Sequence, residues 1–256
     1  MIELSVNLNK IALLRNSRGS DQPSVLEAAE IAIGAGAYGI TVHPRPDQRH
    51  VRPHDVTDLA NLLRTRHRGI EFNIEGNPFA EPRKNGYPGF DALIESTRPH
   101  QCTLVPDGDD QLTSDHGWDL SRDTTRLVET VRRYQGLGAR VSLFMDPVPA
   151  QIERAAAMRV ERIELYTGPF AETVRRHGVH SAVARESFET FARAARHATE
   201  IGLGVNAGHD LDLVNLPLFC GIGEVLEVSI GHALIGDALR IGLSSAVAAY
   251  IEVLRK

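Results

Sequence analysis

Apolar and β-branched residues fall into short runs that recur along the chain: "IELSVNLN", "YGITVHP", "GIEFNIE", "QCTLVPD", "RVSLFMD", "RIELYTG", "GLGVNAG" and "VLEVSIG". Each reads as a strand. Between them the apolar positions shift to helical spacing. Val25, Ala28, Ala29 and Ala32 follow a capping box at Ser24-Val-Leu-Glu27, and Phe188, Phe191, Ala195 and Ala198 precede Gly202. Strand and helix therefore alternate from end to end, which predicts an α/β protein with a parallel sheet. Eight such units within 256 residues, undivided by a Pro/Gly-rich linker, match a single (β/α)₈ TIM barrel over 1–256 with extra short helices. An open dinucleotide-binding sheet fits less well, because no G-x-G-x-x-G follows the first strand. Residues 169–184 predict an added turn or short helix, and "ALIGDAL" a short helix after the last strand. Two connections are long, "GNPFAEPRKNGYPG" and "DGDDQLTSDHGWD" (107–119), and the second is expected to close as a lid.

Composition narrows the class. The 28 basic and 33 acidic residues leave a formal charge of -5, and no Lys/Arg-rich run suggests nucleic acid or an anionic membrane as partner. No stretch is apolar enough to span a bilayer, and the N-terminus lacks a secretory pattern, so a cytoplasmic location is expected. Cys102 and Cys220 match neither a zinc spacing nor a disulfide framework. The lysines are Lys10, Lys84 and Lys256, so the remaining basic side chains are guanidinium groups, suited to phosphate.

In a barrel the C-terminal strand ends share one mouth. Read in order, those ends supply Asn7, Asn9, Lys10, Arg15 and Arg18; His43, Arg45 and His50; Glu71, Asn73 and Glu75; Glu164 and Thr167; Asn206 and His209; and Gly231 with His232. Histidines at several strand ends, with Glu71 and Glu164 inside otherwise apolar runs, point to proton transfer. Gly231-His232 before a helix predicts a phosphate site at the helix N-terminus, and Arg18-Gly19 with Arg45 a second anion grip. Two grips suggest two phosphorylated substrates or one bisphosphate. His43, Glu71, His209 and His232 could ligate a metal, but no H-x-H or H-E-x-x-H pairing supports that, so cofactor-free acid/base chemistry is expected.

The blocks "VNLNKIALLRNSRG", "GITVHPRPDQRH", "IEFNIEG", "CTLVPD", "VSLFMD", "IELYTG", "VNAGHDL" and "IGHALIG" resemble, in order and nearly end to end, the pyridoxine 5′-phosphate synthase family of bacterial vitamin B6 biosynthesis. The resemblance implies a barrel assembled as a homo-oligomer, an octamer built from dimers. It implies condensation of 1-deoxy-D-xylulose 5-phosphate with 3-amino-2-oxopropyl phosphate to pyridoxine 5′-phosphate, phosphate and water, without metal or organic cofactor. Through it His43 and Glu71 match proton acceptors, His209 a proton donor and Glu164 a transition-state stabiliser. Asn7, Arg18, Gly231 and His232 match positions for the amino-ketone phosphate, and Arg45, His50 and Thr113 positions for the deoxyxylulose phosphate. Asn9 and Lys10 stand where many members have Asp-His, Asp210 replaces a common glycine, and the loop after the third strand is longer than in the shortest members. Two other functions remain open: a Schiff-base aldolase-type barrel with Lys10 as nucleophile, and a non-catalytic barrel that binds phosphometabolites.

Overall fold

The computed structural model describes residues 1–255 of the chain. Eight parallel strands close into one barrel in chain order. They are β1 (Glu3–Asn7), β2 (Gly39–Val42), β3 (Glu71–Gly76), β4 (Gln101–Leu104), β5 (Arg140–Met145), β6 (Arg162–Tyr166), β7 (Gly204–Gly208) and β8 (Val225–Ile230). All the runs read as strands from the sequence are strands here. Helices α1 (Asn9–Arg18) and α2 (Val25–Gly34) link β1 to β2, and α3 (Pro53–Arg66), α4 (Phe90–Thr97), α5 (Thr125–Gly136) and α6 (Pro149–Ala157) fill the next gaps. The pair α7 (Gly168–His177) and α8 (Ala182–Glu200) follows β6, α9 (Leu216–Phe219) follows β7, and α10 (His232–Ile241) with α11 (Leu243–Leu254) ends the ring. The added helices are present where a turn or short helix was expected, α7 and α10 having 10 residues each.

Local sequence accounts for these elements. The Ser24 side chain accepts the Glu27 N–H at 3.2 Å, while the Ser24 N–H donates to Gln22 Oε1 at 3.3 Å, so only the N-cap half of the expected capping box forms; Val25, Ala28, Ala29 and Ala32 bury one face of α2. Phe191, Ala195 and Ala198 do the same along α8. At β7/β8 the register passes from Val205↔Val225 to Asn206↔Glu227, so Leu226 is an extra, exposed residue that bulges β8.

Side chains alternate across each strand, and here the alternation separates two chemistries. Leu4, Val6, Ile40, Phe72, Ile74, Val141, Leu143, Ile163 and Val205 are buried in the apolar layer between strands and helices. The alternate positions are polar and line the barrel axis. Ser5 Oγ lies 2.7 Å from Thr41 Oγ1, Asn73 donates to Thr41 at 3.4 Å, and Thr103 donates to Asn73 at 3.2 Å.

The N-terminal end of the axis is closed by an ion cluster. Arg140 Nη2 reaches both Glu71 oxygens at 2.7 Å and lies 3.9 Å from Glu227, while Arg162 Nη1 donates to Glu227 at 3.0 Å and to Asn206 at 2.8 Å. Burial, reinforced by the Glu71 charge, pushes Glu227 up to about 8. This placement corrects the reading of Glu71 as a residue of the mouth. It is the first residue of β3, and Asn206 likewise points into the cluster. Residues 71, 73 and 75 share one face, and at roughly 3.3 Å per residue Glu75 stands about 13 Å further along the strand than Glu71.

Candidate active site

The C-terminal end of the barrel opens into a cavity of about 330 Å³ lined by Asn7, Asn9, Lys10, His43, Arg45, His50, Glu75, Thr113, Glu164, His209, Asp210, Gly231 and His232. Most of the residues expected at the mouth are thus brought together from six strand ends and the 107–119 loop, but Arg15, Arg18, Glu71, Asn73, Thr167 and Asn206 do not line the cavity. Glu71 and Asn206 belong to the cluster at the opposite end, and Arg18, in the last turn of α1, is exposed. The helix that starts at the cavity has turned it outward by its last turn. Arg15 is not a free anion grip either. It is buried against Asp55 and donates to the His50 carbonyl at 3.4 Å, which fixes the loop that carries His50.

The first β-α turn forms a relay of amides. Asn7 Oδ1 accepts the Asn9 N–H at 3.0 Å, Asn9 Oδ1 accepts the His43 N–H at 2.8 Å, and Asn7 Nδ2 donates to Glu75 Oε2 at 3.3 Å. Asn9 therefore orients His43 rather than standing free for a ligand. Ser229 Oγ donates to the other Glu75 oxygen at 3.4 Å. His43 Nδ1 lies 3.9 Å from Glu75, and its Nε2 lies 3.8 Å from Asp107. Gly231 permits this crowding: a Cβ there would lie 3.0 Å from the Asn7 side chain.

Burial sets the titration of these groups. It pushes Glu75 up to about 8, with the Asp107 charge adding to the shift, and Glu164 well above the usual carboxylate range, with Glu75 adding. Glu164 Oε2 is buried without a hydrogen-bond partner among the described residues. The same desolvation holds His43 well below the ordinary imidazole value, assisted by Arg45, and takes His50 to about 3. His209 is also lowered by burial, with Asp210 and Asp107 opposing. Burial thus favours the protonated form of the carboxyls and the neutral form of the imidazoles that face one another across the cavity. Such a set can both donate and accept protons.

His209 occupies an unusual backbone position. Its φ is 79° and that of Asp210 is 58°, left-handed values that cost L-residues energy. Thr167 holds the turn: its hydroxyl donates to the Gly208 carbonyl at 2.6 Å and to that of His209. Asn215 Nδ2 caps the Asp210 carbonyl at 3.0 Å. The imidazole rests against Phe144 and Tyr166, with ring centroids 5.1 and 5.6 Å away. Thr167, Phe144 and Tyr166 thus aim the ring at the cavity.

Anion-binding groups rim the opening. The N-terminus of α10 at Gly231-His232 lies on the wall with its first N–H groups free of intrahelical partners. Lys10, in the first turn of α1, lines the cavity without a hydrogen-bond partner among the described residues. Arg45 is buried, donating to Asp107 and to the Gln111 carbonyl at 3.0 Å. Thr113 reaches the cavity from the 107–119 loop. A second cavity of about 230 Å³ shares the walls formed by His43, Arg45 and Asp107.

Sequence reading missed Glu75 as the carboxyl at His43, and missed Asp107 altogether. For Glu75 a signal existed: a strand whose polar positions alternate has only its last one at the mouth. For Asp107 there was none, since it lies past β4 in a loop whose course depends on packing against Arg45.

Among the described residues no helix is long and apolar enough to cross a membrane, and no group of three or more His, Cys, Asp or Glu is placed to hold a metal ion. A closed barrel with acid/base and cationic groups gathered at its C-terminal mouth defines a (β/α)₈ enzyme. Residues 4–256 match the family described as pyridoxal phosphate biosynthesis protein PdxJ, and the chain belongs to that family. It is 56% identical over 254 residues to pyridoxine 5′-phosphate synthase of Xanthomonas oryzae pv. oryzae (strain PXO99A), covering 99% of this chain and 96% of that one. It is 57% identical over 252 residues to the same-named protein of Xylella fastidiosa (strain M12), covering 98% and 94%. Among solved structures, KGPDC from Streptococcus mutans superposes with a TM-score of 0.63 at 12% identity, covering 100% of this chain and 98% of that one. Thiamine phosphate pyrophosphorylase from Pyrococcus furiosus gives 0.61 at 10%, covering 99% and 95%, and these two likenesses concern the fold alone.

Proposed function

We propose that this enzyme condenses 1-deoxy-D-xylulose 5-phosphate with 3-amino-2-oxopropyl phosphate to form pyridoxine 5′-phosphate, inorganic phosphate and water. The observation that carries the reading is the convergence of His43, Glu75, Glu164 and His209, with displaced proton affinities, on one cavity rimmed by Arg45, Lys10 and the N-terminus of α10. The relatives named above support the product.

The condensation needs an imine from amine and ketone, loss of phosphate, addition of water, ring closure and dehydration. Each step moves a proton, and each well-placed acid or base contributes about 10²- to 10⁴-fold. His43, neutral and buried, serves as a proton acceptor. Glu75 takes the role that the family resemblance carried onto Glu71. Protonated at rest, it donates first and accepts later. His209, on its constrained turn, takes up a proton released in an earlier step and passes it to the leaving oxygen, and Glu164, whose burial favours the protonated form, stabilises charge by donating a hydrogen bond. Gly231, His232 and Asn7 hold one phosphate-bearing substrate; Arg45, His50, Thr113, Lys10 and Asp210 face the other. We further propose a cytoplasmic homo-oligomer that uses neither a metal nor an organic cofactor.

The test is direct: purified protein with both substrates and no added cofactor should release phosphate and form pyridoxine 5′-phosphate, identified by mass. A folded protein that forms none refutes the assignment. The free Lys10 ammonium at the mouth keeps the aldolase reading in view. Borohydride trapping with a ketose phosphate, followed by peptide mapping, should leave Lys10 unmodified, and a stoichiometric adduct would favour the aldolase.

A further inference from the structure

The buried carboxylate of Asp107, in the loop leaving β4, has its polar neighbours crowded on one oxygen while the other has none among the described residues. Arg45 Nη2 and Ser114 Oγ both donate to Oδ2, the latter at 2.6 Å, and His43 Nε2 waits 3.8 Å from that same oxygen. Oδ1 is buried with no hydrogen-bond partner among the described residues. Asn77 Nδ2 pins the Asp107 backbone carbonyl at 2.8 Å, so the side chain can turn while its Cα stays. Arg45, meanwhile, has one Nη on Asp107 and the other on the Gln111 carbonyl at 3.0 Å. Among the described residues, three of the five Arg45 guanidinium N–H groups remain unclaimed, and a phosphate that takes over the one held by Asp107 frees that carboxylate.

We propose that Asp107 is a positioning residue that occupies Arg45 in the free protein and, displaced by a substrate phosphate, turns to His43 Nε2 and fixes that ring as a proton acceptor at Nδ1. This rests on the functional reading above, in which Arg45 takes a phosphate and His43 a proton. With its hydrogen on Nε2 and directed at Asp107, the imidazole presents the Nδ1 lone pair toward Glu75 and the cavity. When a proton leaves the substrate for Nδ1, the bonding pair stays on the substrate, and the imidazolium lies beside the Asp107 carboxylate. Phosphate binding and readiness of the base then become one event. The logic is that of a carboxylate that holds a catalytic imidazole in the right tautomer.

The test uses inorganic phosphate as probe, independently of turnover. Asp107→Asn removes the internal competitor for Arg45, so phosphate should bind tighter by about 5-fold or more, a normal range for coupled sites. The gain should vanish when Arg45→Gln is added, which separates it from phosphate held at α10. With ¹⁵N-histidine labelling, phosphate should drive His43 of the unaltered protein to the Nε2–H form and fail to do so in Asp107→Asn. The proposed condensation should lose about 10²-fold in kcat, while KM for the ketose phosphate falls. Unchanged or weaker phosphate binding in Asp107→Asn, or the same tautomer response in both proteins, would overturn the proposal. If the unaltered protein forms no product, the functional reading fails while the phosphate and tautomer measurements still decide the role of Asp107. Should Asp107→Asn not fold, Ser114→Ala frees the same oxygen from the loop. It should then tighten phosphate by a smaller factor, and no tightening overturns the idea.

Discussion

Oε1 of Glu164 occupies the space where a side chain on Gly208 would begin: a Cβ at residue 208 would lie 2.2 Å from it. The strand-end glycine before His209 is therefore the socket of a buried carboxyl. Gly208→Ala should evict Glu164 from the axis and lower kcat by about 10²-fold, the scale of one catalytic group. Kinetics with a thermal melt checks this. Full activity would mean that Glu164 can do its work from elsewhere.

Glu71 and Glu75 separate stability from chemistry within one strand. Glu75→Gln should fold normally and lose about 10²-fold or more in kcat. Glu71→Gln should keep its turnover but melt earlier, because it strips Arg140 of a buried partner. For a fully buried pair that costs about 3–5 kcal/mol, and the partial exposure of Arg140 sets the expectation near the lower end. Inactivity of a well-folded Glu71→Gln enzyme would contradict the placement.

Thr167 tests the left-handed turn. Thr167→Val keeps the shape but removes the bonds to the Gly208 and His209 carbonyls. A loss of about 1 kcal/mol in stability is expected. The sharper readout is kcat, which should fall about 10-fold with KM for either substrate little changed, since His209 is misaimed in the step it serves.

The displaced proton affinities make stability depend on pH from both sides. Glu75 is raised to about 8, so the folded state binds a proton that the unfolded chain has released, and its contribution fades as pH rises from about 4.5 through about 8. His50 is lowered to about 3, so its contribution is present above about 6.5 and fades as pH falls below that value. Denaturant unfolding across this range should show a maximum between the two limbs. Glu227, also raised to about 8, contributes to the same limb, so Glu75→Gln should make the alkaline limb shallower without abolishing it and leave the acid limb unchanged.

Much of the barrel was legible because its signals are local. The Ser24 hydroxyl and the alanine stripe of α2 need no distant partner, and the strand runs are bounded by their own turn residues. His43, Arg45, His50, His209 and Gly231 were found because a parallel barrel sends every strand's later end to one mouth. Assigning Glu71 to that mouth neglected this same direction: within "EFNIEG" the later glutamate faces the cavity and the earlier one meets Arg140, a residue 69 positions away. The outward turn of Arg18 and the grip of Asp107 on Arg45 depend on packing between loops that are distant in the chain, which no local pattern encodes.

Arg140 on β5 spans to Glu71 on β3, across the division between the first four staves and the last four. Cut there, the first half-barrel would carry the Glu71 carboxylate at its lower end, and the second an excess of guanidinium, Arg140 and Arg162 against the single carboxyl of Glu227. Pairing unlike halves neutralises that end. Pairing a half with its own copy brings carboxylate against carboxylate, or guanidinium against guanidinium, in a place with little water to screen them. The cluster thus acts as an assembly key that disfavours a barrel made of two copies of one half and favours one that joins the first half to the second.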